Sequence, residues 1–238
     1  MSNQEKRTKA ISNLKIELSK IIKGTFEFKR ILLTYSAVLI ASVIVFVISQ
    51  FNSNIDTILS ASRATPWGII TSIFAHSSIS HLALNMGSLF LFIFLFAFCN
   101  STFPLQTKRR IENFFLVSVF VFAVISNILW IWVFNSGSIG ASGLVYAVEG
   151  VLVGFSLVNG LQVLNFSKFR AQSISIRYVV FMNIVVSFAV IAQVFLSTDV
   201  FLGVEQGVNI IAHGVSFILG FFFSYIWYYV IAKISILT

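Results

Sequence analysis

The chain has 238 residues, of which 58% are hydrophobic and 10% charged, and its mean hydropathy is +0.94. A soluble globular domain carries about 25% charged residues. This chain therefore lacks the polar groups that would cover a water-facing surface, and we expect its solvent to be lipid. Its net charge of +8 has no accompanying nucleic-acid motif, so we expect no nucleic-acid partner. The single cysteine, Cys99, excludes a disulfide within the chain.

Residues 1–30 form a basic N-terminal segment. Charges interrupt its apolar residues and no cleavage site follows, so the segment does not resemble a signal peptide. Apolar residues recur at helical spacing with lysines between them: Ile11, Leu14, Leu18, Ile21 and Ile22. This pattern favours an amphipathic helix on the inner membrane surface. A disordered basic tail fits the same composition.

Six apolar runs are long enough, at 1.5 Å per residue, to cross a hydrocarbon core about 30 Å thick. They cover roughly residues 31–50, 81–99, 112–134, 142–160, 178–197 and 208–232. They are longer and more continuous than the alternating segments of a membrane β-barrel. We therefore predict an all-α, polytopic membrane protein with a core over residues 31–232 and a short tail over 233–238.

The basic residues fall almost entirely on one side of this topology. An even number of spans places both termini on the same side, and the positive-inside rule assigns the basic side to the cytoplasm. Fifteen of the 16 Lys and Arg residues lie there, and Arg63 alone lies outside. We expect a cell-membrane protein with cytoplasmic termini, whose positive charge faces anionic lipid.

The outer loop between the first two spans, roughly residues 51–80, is long and apolar. Connections between bundle helices are usually shorter. Many of its side chains would be unfavourable in water: Pro66, Trp67, Ile69, Ile70, Ile73 and Phe74. We expect this loop to lie partly in the outer leaflet as a re-entrant or lid element, with Trp67 at the headgroup level.

The three histidines, His76, His81 and His213, all fall in the outer half of the predicted bundle. His81 begins the second span in the sequence H-L-A-L-N, which places Asn85 one turn later on the same face. Polar groups at membrane depth are unfavourable unless they face a protein interior or a wet cavity. Taken alone, His81 and Asn85 are well explained by hydrogen bonds that join helices.

A serine stands at the start of the fourth span. Gly140 and Gly143 flank Ser142 where the outer loop turns into the helix, and glycine permits a tight turn there. The first backbone N–H groups of a helix are unpaired and carry the positive end of its dipole. Ser142 therefore has potential oxyanion donors beside it. The pattern is weak by itself, because glycine and serine are common packing residues in membrane helices.

Small residues recur on the fourth and sixth spans, and such stripes let two backbones approach closely. They are Gly143, Ala147, Gly150 and Gly154 on the fourth, and Ala212, Ser216, Gly220 and Ser224 on the sixth. Ser142 and Tyr146 lie beside the first stripe, and His213 lies beside the second. A lone histidine would by default be structural, but packing of these stripes would bring Ser142 toward His213.

At these residues the chain resembles the rhomboid family of intramembrane serine proteases. The family has a six-helix core with an H-x-x-x-N motif on its second helix, G-x-S-x at the start of its fourth and a histidine on its sixth. The chain has His81–Asn85, Gly140–Gly143, and His213 followed by Ser216 and Gly220. The resemblance covers roughly residues 31–232 and implies a rhomboid-like six-helix bundle with a long, partly membrane-embedded first outer loop.

Two residues of the first outer loop, Trp67 and His76, also match the family. Its usual Trp-Arg pair reads Trp67-Gly68 here, so we expect this loop to be less firmly anchored. The glycine usual one turn after the sixth-helix histidine is Ser216, which is still small enough to pack.

The resemblance implies a serine endopeptidase that cuts transmembrane proteins near the outer end of their helix. Ser142 would be the nucleophile and His213 the general base, a dyad without a third acidic residue. His81, Asn85 and the Ser142 N–H would hold the oxyanion, and Tyr146 would orient the His213 ring by stacking. The residues with supporting roles are Tyr146, Gly140, Gly143, Gly220, His76 and Trp67.

Glu149 is the one acidic residue in the interior of a predicted span, since Glu112 stands at the first position of the third. Proton transfer or metal binding would be functional roles for it; a protonated or hydrogen-bonded structural role is the simpler interpretation. The histidines and Glu149 lack a metal-ligand spacing, so we expect no metal and no cofactor. Two other functions stay open. One is an inactive rhomboid-like protein that binds membrane proteins, and the other is a small transporter, although no internal repeat supports it.

Overall fold

The computed structural model describes residues 3–134, 137–164, 166–196 and 209–237, and these are mostly helical. The helices are α1 (Asn3–Phe26), α2 (Lys29–Phe51), α3 (Asn54–Leu59), α4 (Gly68–Thr71), α5 (Ile79–Cys99), α6 (Leu105–Val133), α7 (Ser142–Gly160), α8 (Phe166–Ala171), α9 (Ile174–Leu196) and α10 (Ile210–Leu237). Two 3₁₀ turns cover Ser72–Phe74 and Leu161–Leu164. The described residues contain no β-strand, and the prediction of an all-α membrane protein is confirmed.

The predicted spans correspond to long helices. Five helices in the described part of the chain are long and apolar enough to cross a membrane: α2, α5, α6, α7 and α9. The sixth predicted run falls on α10, which has 28 residues. The third span was predicted to begin at residue 112, but α6 begins at Leu105. The predicted ends at 197 and 208 lie outside the described residues.

Helix α7 lies at the centre of the bundle, and nearly all of its side chains are buried. Its close neighbour is α10, because glycines remove the side chains between the two backbones. A Cβ atom on Gly150 would stand 2.2 Å from the Phe217 carbonyl oxygen, and one on Gly220 would stand 2.5 Å from the Ala147 carbonyl oxygen. Such distances exclude any larger residue without movement of the helices. The two predicted small-residue stripes therefore face each other here.

Gly143 departs from that prediction. A Cβ atom there would meet Ala123 and Ser126 of α6, at 3.4 and 3.3 Å, rather than α10. The reason is that the first turn of α7 is covered by the outer half of α6. Ala212, at the same level of the α10 stripe, has a side chain that lies outside the described residues.

The first outer loop contains α3, α4 and the turn Ser72–Phe74, and it is held at several points. Arg63 donates hydrogen bonds to the carbonyl oxygens of Ile131 and Trp132, at 3.2 Å each. These carbonyls lie in the last turn of α6, at the negative end of its dipole, where a cation is favourable. The half-exposed Trp67 donates its indole N–H to the Ile58 carbonyl oxygen at 2.7 Å.

Gly68 follows Trp67 where the family has arginine, and the structure gives a steric reason. A Cβ atom on Gly68 would stand 1.8 Å from the Ser60 carbonyl oxygen, so only glycine fits beside the loop backbone at Ser60. The expectation that this departure leaves the loop less firmly anchored stays a prediction; Arg63 supplies one anchor from another position.

Candidate active site

The turn that leads into Ser142 is held by contacts between the first and second outer loops. Ser138 and Ala61 exchange two backbone hydrogen bonds, of 2.8 and 3.2 Å. Gly140 donates its N–H to the Ser72 carbonyl oxygen at 2.8 Å and has φ of 117°. Other residues rarely adopt that conformation, so glycine is required here. Ser142 then begins α7 with a partly exposed side chain.

His81 and Asn85 lie against this turn. A Cβ atom on Gly140 would stand 2.9 Å from both Cε1 and Nε2 of His81, and 3.5 Å from Nδ2 of Asn85. The two side chains thus share one face of α5, as predicted, and point at the backbone two residues before Ser142. The Asn85 Nδ2 atom is buried and has no hydrogen-bond partner among the described residues. An unpaired buried donor is unfavourable, unless a ligand accepts from it.

The His81 ring is oriented by its neighbours. Ser77 Oγ lies 3.2 Å from its Nδ1 atom, and Ser78 caps α5 by accepting the His81 N–H at 3.1 Å. These contacts leave Nε2 on the side of Gly140. The His76 ring packs edge-on at 5.2 Å between centroids, and its Nδ1 lies 3.2 Å from the Phe74 carbonyl oxygen. The His76 ring therefore packs against the His81 ring and limits its movement.

Burial sets the protonation state of His76. Its side chain is fully buried, and loss of hydration, with the neighbouring His81 as a smaller cause, lowers the pKa of His76 to about 4. The ring is therefore neutral at pH 7, which suits its apolar surroundings.

Tyr146, one helical turn after Ser142 on α7, packs against His213. The Tyr146 and His213 rings pack with centroids 4.1 Å apart and an angle of 34° between their planes. His213 is 6% exposed, so its ring is held within the protein. Tyr146 lies one turn after Ser142, and residues four apart share a helix face. Ser142 and His213 are therefore directed to the same side of the α7–α10 contact.

A buried amide network lies beneath the Ser142 turn, and the sequence analysis did not identify it. Asn127 of α6 donates to the Ile69 carbonyl oxygen at 3.0 Å and to Ser72 Oγ at 3.2 Å. Asn209, which precedes α10, donates to Asn127 Oδ1 at 3.4 Å and to Ser138 Oγ at 3.2 Å. The available signal was an asparagine inside an apolar run. The network ties the outer loops, α6 and the start of α10 together.

Three residues singled out from the sequence lie outside the group formed by the Ser142 turn, His81, Asn85 and the Tyr146–His213 pair. Gly220 belongs to the α7–α10 contact, and Trp67 to the outer loop. Glu149 is fully buried on α7, and neither of its carboxyl oxygens has a hydrogen-bond partner among the described residues. A structural hydrogen bond from Glu149 to a neighbour is therefore not seen. The described residues also contain no group of three or more His, Cys, Asp or Glu side chains that could hold a metal ion.

Comparison with known proteins agrees with this architecture. A family model for the Rhomboid domain matches residues 63–230, which is more than half of the 238-residue chain. No curated protein and no solved structure matched the chain. The family match begins at Arg63 in the first outer loop and includes the helices that carry His81, Asn85, Ser142 and His213. On this match, the chain belongs to the rhomboid family.

Proposed function

We propose that this chain is an intramembrane serine endopeptidase that uses a Ser142–His213 dyad. The observation that carries the proposal is the Tyr146–His213 ring contact, at 4.1 Å, one turn from a partly exposed serine at a helix N-terminus. A histidine held by an aromatic ring needs no acidic partner to fix its orientation. Membership of the rhomboid family supports the same reaction class.

In the proposed reaction, Ser142 Oγ attacks the carbonyl carbon of the scissile peptide bond while His213 takes the hydroxyl proton. The tetrahedral intermediate then collapses, the C–N bond breaks, and His213 returns the proton to the leaving amine. Water, activated by His213, attacks the acyl-enzyme in a second round and releases the carboxyl product with Ser142 restored. No oxidant, metal or cofactor takes part.

The negative oxygen of the tetrahedral intermediate requires fixed donors. The candidates are the His81 ring, the Asn85 amide and the Ser142 backbone N–H. Asn85 is suited to this role because its buried Nδ2 has no hydrogen-bond partner in the part of the chain that the structure describes. A donor that gains its partner only when charge develops stabilises the transition state more than the bound substrate.

The proposed substrates are transmembrane proteins cut near the outer end of their helix. Their scissile bond must reach Ser142, which lies at the end of the bundle that holds the first and second outer loops rather than at the basic end. By the positive-inside rule, both termini of this chain are then cytoplasmic and the site opens to the outer face of the cell membrane.

Labelling with a fluorophosphonate probe tests the proposal, because only an activated serine reacts with it. We expect the detergent-solubilised protein to be labelled, and Ser142→Ala and His213→Ala to abolish both labelling and cleavage of a transmembrane substrate. Ser36→Ala is the matched control, since it removes an exposed hydroxyl on α2 that takes no part in the site. Absence of labelling in the wild-type protein would favour the inactive, substrate-binding alternative.

A further inference from the structure

Helix α1 carries an apolar stripe that no described part of the protein covers. Its members recur at intervals of three and four residues and are 43–57% exposed: Ile11, Leu14, Leu18, Ile22 and Phe26. Residues at this spacing share one face of a helix. Ile16 is also exposed, but it lies outside the stripe.

A different face of α1 is attached to the bundle. Ile21 and Thr25 are buried, and a Cβ atom on Gly24 would stand 2.1 Å from the Ser101 carbonyl oxygen. Glu17 accepts a hydrogen bond from the Ser175 backbone N–H, at the start of α9, at 3.3 Å. The helix is thus fixed along one side, and the apolar stripe lies about a quarter turn away from that side.

Charged contacts strengthen this attachment. Lys108, at the start of α6, is 3% exposed and lies 2.7 Å from Glu27, the residue just after α1. The Lys108 ammonium lowers the pKa of the Glu27 carboxyl group. Glu112 accepts a hydrogen bond from the Arg30 backbone N–H at 3.0 Å and pairs with Arg109 at 3.0 Å. These contacts place α1 at the basic end of the bundle.

The position of α2 sets the depth of α1. Phe26 ends α1, and Lys29, only three residues later, begins a helix long and apolar enough to cross the membrane. The end of α1 is therefore at the level where the hydrocarbon core begins. The remaining face of α1 is basic, with exposed Lys9, Lys20 and Lys23, and Lys15 lies near one edge of the stripe. An exposed apolar stripe bordered by lysines, held at this depth, is complementary to a bilayer surface that carries negative charge.

We propose that α1 is a docking element for anionic phospholipid, with its apolar stripe inserted at the boundary between headgroups and acyl chains. Lysines beside the stripe contact the phosphate groups. Because Glu17 and Gly24 fix the other face of α1 to α9 and to the turn at Ser101, the lipid surface becomes part of the support of the bundle's inner end. This inference does not depend on the catalytic proposal, since it concerns the opposite end of the molecule.

The test uses the full chain reconstituted in vesicles of phosphatidylcholine, with or without one quarter phosphatidylglycerol. An environment-sensitive fluorophore is attached at Leu14→Cys in the stripe, or at the exposed Asn13→Cys on another face as the matched control. Native Cys99 is 1% exposed and stays unlabelled. We expect quenching by lipid spin-labelled near the headgroups at position 14 and little at position 13.

The lysines are tested by Lys9→Gln, Lys15→Gln and Lys23→Gln together, which spares the Lys20–Glu17 pair. We expect phosphatidylglycerol to increase quenching at position 14 in the parent protein and to have no effect in the triple variant. Each lysine is expected to change the equilibrium for binding of α1 to the anionic surface by about fivefold. Equal quenching at positions 13 and 14 would overturn the proposal. Quenching that is unchanged by phosphatidylglycerol and by the three lysine substitutions would also overturn it. A blue shift at position 14 that grows with protein density but lacks lipid quenching would also overturn it, and would assign the stripe to a second copy.

Discussion

The Tyr146 ring lies against the His213 ring, with 4.1 Å between centroids, although the two residues are 67 positions apart in the chain. The contact forms because glycines on α7 and α10 let the two backbones approach. Packing in the middle of the bundle thereby controls the geometry of a proposed catalytic group near its outer end. Helix contact and chemistry are coupled through one aromatic side chain.

Substitution of Tyr146 tests this coupling. Tyr146→Phe keeps the ring, so we expect cleavage close to the wild-type rate. Tyr146→Ala removes the stacking surface, worth about 0.5–1.5 kcal/mol for an aromatic pair, and we expect kcat to fall about tenfold. Cleavage of a transmembrane substrate in detergent measures both. If the phenylalanine variant loses as much activity as the alanine variant, the hydroxyl group matters and stacking is not the main contribution.

The α7–α10 contact should be intolerant of branched residues. Gly220→Val places methyl groups where a single Cβ atom is already 2.5 Å from the Ala147 carbonyl oxygen. We expect a loss of about 1–3 kcal/mol or more in the free energy of unfolding, seen as a lower melting temperature, together with lower activity. Gly87→Val is the control, because a Cβ atom at Gly87 meets no other atom within 4 Å. Equal melting temperatures for the two variants would contradict close packing at Gly220.

The amide network beneath the Ser142 turn should affect both stability and rate. Asn127→Ala removes the hydrogen bonds of Asn127 to the Ile69 carbonyl oxygen, to Ser72 Oγ and from the Asn209 amide, and such a loss costs about 1–3 kcal/mol. We expect a lower melting temperature and a kcat reduced by up to about 10²-fold, because small displacements of a reacting group are costly. Asn113→Ala on the exposed face of the same helix is the control. A change in melting temperature alone would limit Asn127 to a structural role.

Much of this fold is predictable because lipid imposes simple demands. A span needs about 20 apolar residues, and close helix contacts need small ones, so the spans and the facing of Gly150 and Gly220 could be inferred from spacing. Contacts between distant loops have no such pattern. Nothing local indicates that Arg63 reaches the end of α6, or that Asn127 meets Asn209. The packing of Gly143 against α6 likewise depends on how the helices are arranged in space, which residue spacing alone does not give.

The proposed roles of the site residues were reached from the motifs and the family resemblance, and they remain predictions. The structure adds distances that motifs cannot supply, such as the approach of Gly140 to His81 and Asn85. It also identifies buried polar atoms that have no hydrogen-bond partner among the described residues, notably Asn85 Nδ2 and both carboxyl oxygens of Glu149.

His76 should make stability depend on pH. Its pKa is about 4 in the folded protein and 6.5 when unfolded, so the unfolded chain binds a proton first as the pH falls. The contribution of His76 to the free energy of unfolding is therefore fully present above pH 6.5. It is lost progressively as the pH falls to about 4, by about 3 kcal/mol at most. His76→Phe, which does not titrate, should flatten this part of the curve in thermal unfolding measured against pH. Parallel curves for the two proteins would contradict the burial of a neutral His76.

Asn85 is expected to stabilise charge that develops only in the transition state. Asn85→Ala should therefore lower kcat by about 10²–10³ and leave KM nearly unchanged. The low end of that range is expected, because the Ser142 N–H, His81 or water provides partial replacement. A small fluorophosphonate should still label Ser142 in this variant, but more slowly. Leu84→Ala, at the adjacent and exposed position of α5, is the control for general effects on the helix. Wild-type kcat in Asn85→Ala would make Asn85 a residue that joins helices rather than an oxyanion donor.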